Sequence, residues 1–244
     1  PMMAVSSFAA DEITSGVIGD CTWSLDGTVL TISGNGEMGD CDIGSSPYGN
    51  LITNVIIEDG VTNIGRYAFA DCASLTSITI PDSVTSIEQG AFHGCASLAS
   101  ITIPDSVTSI ENGVFQRCKS LASITIPDSV TIIGTYTFAD CTSLTNITIP
   151  DSVTSIEYGA FAWCTSLTSI TIPDSVTSIG NIAFEYTAYY NDESNWDNGI
   201  LYIGNHLIKA KRDISGSVEI KQGTKIIADF AFYDSKSLTS ITIP

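Results

Sequence analysis

The sequence predicts a β-rich repeat solenoid with a small β cap at its N-terminal end. Three observations carry this prediction. The phrase Leu75-Thr-Ser-Ile-Thr-Ile-Pro81 returns at Leu98, Leu121, Leu144 and Leu167, each copy starting 23 residues after the last. A second shared segment, Asp-Ser-Val-Thr-x-Ile followed by a Phe-x-x-Cys element, fills each interval. Within the first phrase apolar and hydroxyl-bearing residues alternate with the period of two that marks a strand. A repeat of this length packs each unit mainly on its neighbours, so the core is a stack of units rather than a sphere.

The elements follow in chain order. Residues 1–10 are apolar and rich in small residues, with Asp11-Glu12 directly behind them, and read as a signal-peptide remnant or an N-terminal extension. Residues 11–51 form the expected cap. There Thr22 to Ser33 alternates as two short strands around Asp26-Gly27, while Gly34-Asn-Gly36 and Ser45-Ser-Pro-Tyr48 are loop chemistry. A solenoid needs such an atypical first element because its terminal apolar face would otherwise meet water. Residues 52–189 hold a degenerate first unit and five regular ones. The pattern fails at Glu185-Tyr-Thr187, where Thr187 takes the cysteine position. Residues 190–214 form an irregular insert whose Ile200–Ile203 and Leu207–Ala210 segments flank Gly204-Asn205 as a second hairpin. Degenerate and partial units fill 215–244, and the open strand at Leu238–Pro244 leads us to expect a longer parent chain.

Within a regular unit, Leu75, Ile78 and Ile80 face the core and Thr79 faces out. Pro81 ends the strand, since proline cannot donate to the next ladder bond. Asp82-Ser83 turn the chain, Val84 and Ile87 return inward, and Phe92 and Cys95 complete the filling. Cys72, Cys95, Cys118, Cys141 and Cys164 share one position and read as buried thiols packed in a ladder. Five equivalent cysteines are not a catalytic nucleophile, and without Cys-x-x-Cys pairs they are not a zinc site. Cys21 and Cys41 lie off the period; in an exported chain they either pair as a staple or stay free.

Composition restricts the partners. The formal charge is −18 with only nine Lys and Arg, which argues against nucleic acid and anionic membrane as ligands. No stretch is long and apolar enough to span a bilayer. His93 and His206 have no motif partners, and no phosphate loop, nucleophile elbow or metal signature occurs, so the chain reads as non-enzymatic with no cofactor. The ladder Asp82, Asp105, Asp128, Asp151 and Asp174 reads as turn capping, with calcium relief of its repulsion as the alternative.

Two surfaces are candidates for partner binding. Thr79, Thr102, Thr125, Thr148 and Thr171 form an outward hydroxyl ladder able to meet a glycan or an extended partner, or simply supply β propensity and solubility. Copy-to-copy variation collects instead around the Phe element. There Tyr136, Tyr158, Trp163 and Tyr186 form either an exposed aromatic strip of the kind that anchors interfaces, or rings lying over neighbouring repeats.

The strand phrase Leu75-x-x-Ile78-x-Ile80, joined to Val84-x-x-Ile87 and Ala91-Phe92-x-x-Cys95, resembles the BspA-type leucine-rich repeat over 52–189, and more loosely over 215–244. The Trp23–Gly34 lead-in and the Ile200–Ile208 hairpin resemble segments of the same bacterial secreted and surface proteins. The resemblance implies a secreted or cell-surface domain that binds extracellular matrix or cell-surface protein, or glycan. An accessory spacer in a larger exported protein is the other role it implies. The family carries no catalytic motif, and its ligand residues do not transfer by position.

Overall fold

The structure, a computed structural model, describes residues 14–42 and 48–244 as a β-solenoid of about nine turns. The signal-peptide reading of 1–10 and the loop reading of 45–47 concern residues outside this set. The cap is an antiparallel pair, β1 (Ser15–Asp26) and β2 (Val29–Met38), with Gly27 in the first central loop position at φ 60°. The solenoid then begins by parallel addition. Unit 1 (52–74) contributes β3 (Asn54–Ile57) and β4 (Asn63–Ile64), and unit 2 (75–97) contributes β5 (Ser77–Thr79) and β6 (Ser86–Ile87). Unit 3 (98–120) has only β7 (Ser109–Ile110), and unit 4 (121–143) only β8 (Ile132–Ile133). Unit 5 (144–166) carries β9 (Asn146–Thr148) and β10 (Ser155–Ile156), and unit 6 (167–189) carries β11 (Ser169–Thr171) and β12 (Ser178–Ile179).

Two sides of the coil are therefore narrow parallel sheets. On one, β2, β3 and β5 are consecutive, and β9 pairs with β11. On the other, β4, β6 and β7 form one group and β8, β10 and β12 a second. The sequence predicts an Ile-Thr-Ile strand in every regular copy; units 3 and 4 lack it, although Ile101, Ile103, Ile124 and Ile126 are buried as expected.

The third side has no named strand, yet it is the most regular. At every junction from unit 1 to unit 6, three backbone N–H groups donate to the next unit. In the first these are Tyr67 to Gln89, Phe69 to Ala91 and Asp71 to His93, at 3.0, 2.9 and 2.6 Å. The intervening amides turn back within their own unit, as Cys72 does to Phe69 at 3.2 Å. Inside this side the phenylalanines stack. Phe69, Phe92, Phe115, Phe138, Phe161 and Phe184 form one column with neighbouring centroids 5.3–5.7 Å apart, continued into the cap by Tyr48. Each ring is buried, and such contacts contribute about 0.5–1.5 kcal/mol per pair beyond area burial.

The cysteine ladder is buried beside this column. Its thiols are more than apolar filler: Cys95, Cys118, Cys141 and Cys164 donate to the carbonyl oxygens of Phe69, Phe92, Phe115 and Phe138, at 3.0–3.2 Å. Cys21 and Cys41 are free thiols, so the disulfide staple is not formed.

After unit 6, a helical turn α1 (Ala188–Asn191) is capped by Thr187 Oγ1, which accepts from the Tyr190 amide at 3.0 Å. The chain then makes β13 (Trp196–Asp197) and the hairpin β14 (Ile200–Ile203) and β15 (His206–Ala210), with Gly204 and Asn205 in its loop. β16 (Ser215–Glu219), β17 (Ile226–Ile227) and β18 (Ser237–Thr242) resume the solenoid, β15 pairing parallel with β17 and β16 with β18.

Candidate functional site

Thr79, Thr102, Thr125, Thr148 and Thr171 are all exposed, as the alternation predicts. They do not sit on one continuous sheet, because the strands of units 3 and 4 are missing. A shallow groove of about 610 Å³ runs through the gap between Ser100, Thr102, Thr125 and Asn146. The carboxylates Asp82, Asp105, Asp128, Asp151 and Asp174 are exposed at their turns. Among the described residues, no group of three His, Cys, Asp or Glu side chains converges on a metal-sized site.

The third side is where identity varies, and its backbone explains which residues matter. Two positions in every unit are left-handed. One holds Tyr67, Gly90, Gly113, Tyr136, Gly159 and Ile182; the other holds Asp71, Gly94, Arg117, Asp140, Trp163 and Tyr186, all with φ between 51° and 72°. Glycine takes this conformation freely, whereas a bulky L-residue is destabilised there by about 1 kcal/mol or more. At the first position the departure has a packing reason. The Tyr67 ring covers Gly90 and the Tyr136 ring covers Gly159, each so closely that a Cβ on the glycine would meet it at 2.2 and 2.5 Å. Tyr136 is accordingly half-buried and meets Tyr158 edge-on at 5.2 Å.

At the second position, two consecutive bulky rings have no glycine to cover. Trp163 and Tyr186 stack with centroids 5.5 Å apart and planes 9° from parallel, while remaining 41% and 48% exposed. Tyr186 continues to Tyr190 at 6.3 Å, and Tyr190 meets Trp196 edge-on at 5.2 Å. The insert holds the far rings in place. Trp196 Nε1 donates to the Tyr190 carbonyl at 2.8 Å, and the Lys211 ammonium lies 5.3 Å from the Trp196 ring centre. Tyr186, Tyr190, Trp196 and residues 209–213 enclose an open cleft of about 530 Å³.

Charge in this cleft is mostly paired. Lys209 bridges to Glu185 at 2.8 Å with both side chains largely covered, and Lys211 bridges to Glu193. Arg212 stands beside Tyr190, whose phenol is pushed up to about 12 by burial and by Glu185 and Tyr186, against the opposing pull of Arg212. A near-neutral aromatic cleft on a chain of charge −18 is a local exception.

Of the candidates read from sequence, the structure brings Trp163 and Tyr186 into this run, leaves Tyr158 exposed beside Tyr136, and places the threonines elsewhere. Tyr190, Trp196, Lys209, Lys211 and Arg212 escaped the sequence reading. Their signal was compositional: three of the chain's nine cations fall within 209–212, next to an aromatic-rich insert.

Comparison with known proteins agrees with this architecture. A family model for the BspA type leucine rich repeat region matches in six copies, over 43–164 and 131–244. A leucine rich cell surface protein of Faecalibacterium prausnitzii is 29% identical, the match covering 93% of this chain and 76% of that one, with a TM-score of 0.59. A leucine rich repeat protein of T. pallidum is 32% identical over 68% of this chain and 75% of its own, with a TM-score of 0.55. A Bacteroides ovatus leucine-rich repeat protein, at 22% identity and a TM-score of 0.54 over 94% and 76%, shares the fold. No curated protein matches. The repeat register, the phenylalanine column and the matched family model lead to one statement: the chain belongs to the BspA-type leucine-rich repeat family.

Proposed function

We propose that this domain is a non-enzymatic, extracellular interaction module that grips a protein partner of the matrix or a cell surface through the Trp163–Tyr186–Tyr190–Trp196 run. One observation carries the reading. Trp163 and Tyr186 retain large, exposed rings at left-handed positions where Gly94 stands in another copy, so backbone strain is tolerated without the covering role that accounts for Tyr67 and Tyr136. Exposed aromatic rings held rigid by their neighbours are the commonest anchors of protein interfaces. Family membership supports an interaction role, and the likeness to a Faecalibacterium cell surface protein supports an extracellular one.

The test is capture from matrix and mucosal extracts, with a glycan array in parallel, using the wild-type chain and a Trp163→Gly/Tyr186→Gly variant. A purified partner should bind the wild type and lose at least tenfold in affinity with the variant. Equal binding by both would overturn the aromatic site. A domain that takes no partner in either format is a spacer.

A further inference from the structure

We propose that the solenoid is jointed between unit 3 and unit 4, so that two stiff arms swing about the phenylalanine column. The hydrogen-bond pattern across successive junctions carries this. On the β4–β12 side, each unit is normally tied to the one before by two backbone bonds. Thr85 donates to Thr62, Thr108 to Thr85, Thr154 to Thr131 and Thr177 to Thr154, at 2.8–3.0 Å. Likewise Glu88 donates to Ile64, Glu111 to Ile87, Glu157 to Ile133 and Gly180 to Ile156. Among the described residues the corresponding bonds from Thr131 to Thr108 and from Gly134 to Ile110 are absent, and β7 and β8 are not paired with each other. The threonine hydroxyl ladder breaks at the same step: Thr85, Thr108, Thr154 and Thr177 each donate to the threonine carbonyl of the preceding unit, and Thr131 does not.

The opposite sheet is open there too. On that sheet no strand is paired between Thr79 and Asn146, and the backbone bonds left there across the joint run from Ala122 to Ala99 and, at the corner, from Ser143 to Lys119, each at 3.1 Å. Shallow grooves mark the joint on both sides, about 610 Å³ along Thr102 and Thr125 and about 680 Å³ along Ser109 and Ile132. Unit 3 to unit 4 is thus the one junction between regular units where both sheets are unzipped.

The third side stays closed. Gly113, Phe115 and Arg117 donate to Thr135, Thr137 and Ala139 at 2.8–2.9 Å, the Phe115 and Phe138 rings stack at 5.6 Å, and the Cys141 thiol reaches Phe115. This side is the pivot. Side-chain ties remain beside the open sheets: Ser129 Oγ donates to the Val107 carbonyl at one corner, and at the other the Thr135 amide donates to Asn112 Oδ1 at 2.8 Å and Thr137 Oγ1 to the Glu111 carbonyl at 3.1 Å.

The sequence supplies the cause. Where Thr76 and Thr168 add a hydroxyl bond to the preceding unit, at 3.0 and 3.4 Å, units 3 and 4 have Ala99 and Ala122, which lack that donor and have lower β propensity. Ile132 replaces the serine found at 86, 109, 155 and 178, and its side chain stands 49% exposed in the groove. In a stacked array, stability is a sum of nearest-neighbour interfaces, so the interface without sheet pairing on either side is where the rod bends.

The test compares matched distances by paired spin labels in a Cys41→Ser background. Thr108→Cys/Thr154→Cys spans the joint, whereas Thr62→Cys/Thr108→Cys and Thr131→Cys/Thr177→Cys span two units within one arm; all these threonines are exposed. The joint pair should give a distance distribution at least twice as wide as either control, and Ala99→Thr/Ala122→Thr/Ile132→Ser should narrow it. Native-state hydrogen exchange gives a second reading. The Thr131 and Gly134 amides should exchange at least 100-fold faster than those of Thr108 and Thr154, with Phe115 and Phe138 protected. Equal widths in all three pairs, or equal protection of Thr131 and Thr108, would overturn the joint.

Discussion

The Cys118 thiol donates to the carbonyl oxygen of Phe92, one unit upstream, at 3.2 Å. Burial pushes this thiol, and that of Cys164, up to about 12. At pH 8 such a group is thiolate in about one molecule in ten thousand, against about one in four for a thiol at its ordinary value. The folded protein should therefore resist maleimide or iodoacetamide at Cys118 and Cys164, and half-buried Cys41 should be labelled before them. Peptide mapping of native and urea-unfolded samples reads this directly. Rapid native labelling of Cys118 would contradict the buried, bonded thiol.

The phenylalanine column is the main cohesive element across all six units. Phe138 lies between Phe115 and Phe161, at 5.6 and 5.3 Å, and its carbonyl receives the Cys164 thiol. Phe138→Ala should destabilise the chain by about 3–5 kcal/mol, because a stack with neighbours on both sides collapses poorly into a cavity. Urea unfolding followed by circular dichroism measures it, and a loss below 1 kcal/mol would mean that the column is dispensable.

Trp163 provides a sharper test than a polar substitution would. Glycine removes the strain of φ 61° but also loses a stacked pair, and these terms are each about 1 kcal/mol with opposite sign. Trp163→Gly should thus shift stability by less than about 1 kcal/mol, while Trp163→Val, β-branched at the same backbone angle, should be clearly destabilising. Thermal melts of the two variants decide it; equal melting temperatures would remove strain from the account.

His206 is fully enclosed, with Nδ1 3.3 Å from the Ile203 carbonyl and Nε2 unpartnered. Burial lowers its pKa below the ordinary 6.5, despite opposing help from the Ile203 carbonyl and Asp174; Lys225 adds to the lowering. His93 is shifted the same way, again mainly by burial. The unfolded chain then takes up protons that the folded chain refuses, so stability is intact above pH 6.5 and declines as the pH falls below it. The melting temperature should drop between pH 7 and 5.5, and His206→Gln should flatten that drop. An unchanged slope would assign the acid sensitivity elsewhere.

Much of this was legible in the sequence, and the remainder was not for identifiable reasons. The period located every buried Phe and, apart from Cys21, every buried Cys, and Asp26-Gly27 and Gly204-Asn205 located both hairpins. The thiol–carbonyl bonds were invisible, since they depend on the offset between stacked units rather than on any unit alone. The lost strands of units 3 and 4 were hidden because Ile-Thr-Ile is intact in both; the differences are three small changes, Ala99, Ala122 and Ile132, which matter only through the ladders they fail to close. Half of the aromatic run was readable as variation at Trp163 and Tyr186. Tyr190 and Trp196 lie in an aperiodic insert, where only the folded path brings rings together.

The thiol-to-carbonyl register sets how this protein can change size. Cys95, Cys118, Cys141 and Cys164 each serve a carbonyl 26 residues earlier, at a step that repeats every 23. Removing or adding 23 residues within the regular units returns every donor to an equivalent acceptor, whereas any other increment leaves a buried carbonyl and a buried thiol unmatched. Length is therefore quantised in whole turns, and gain or loss of complete turns is the route by which a lineage can set the distance between the cap and the aromatic cleft without redesigning the core.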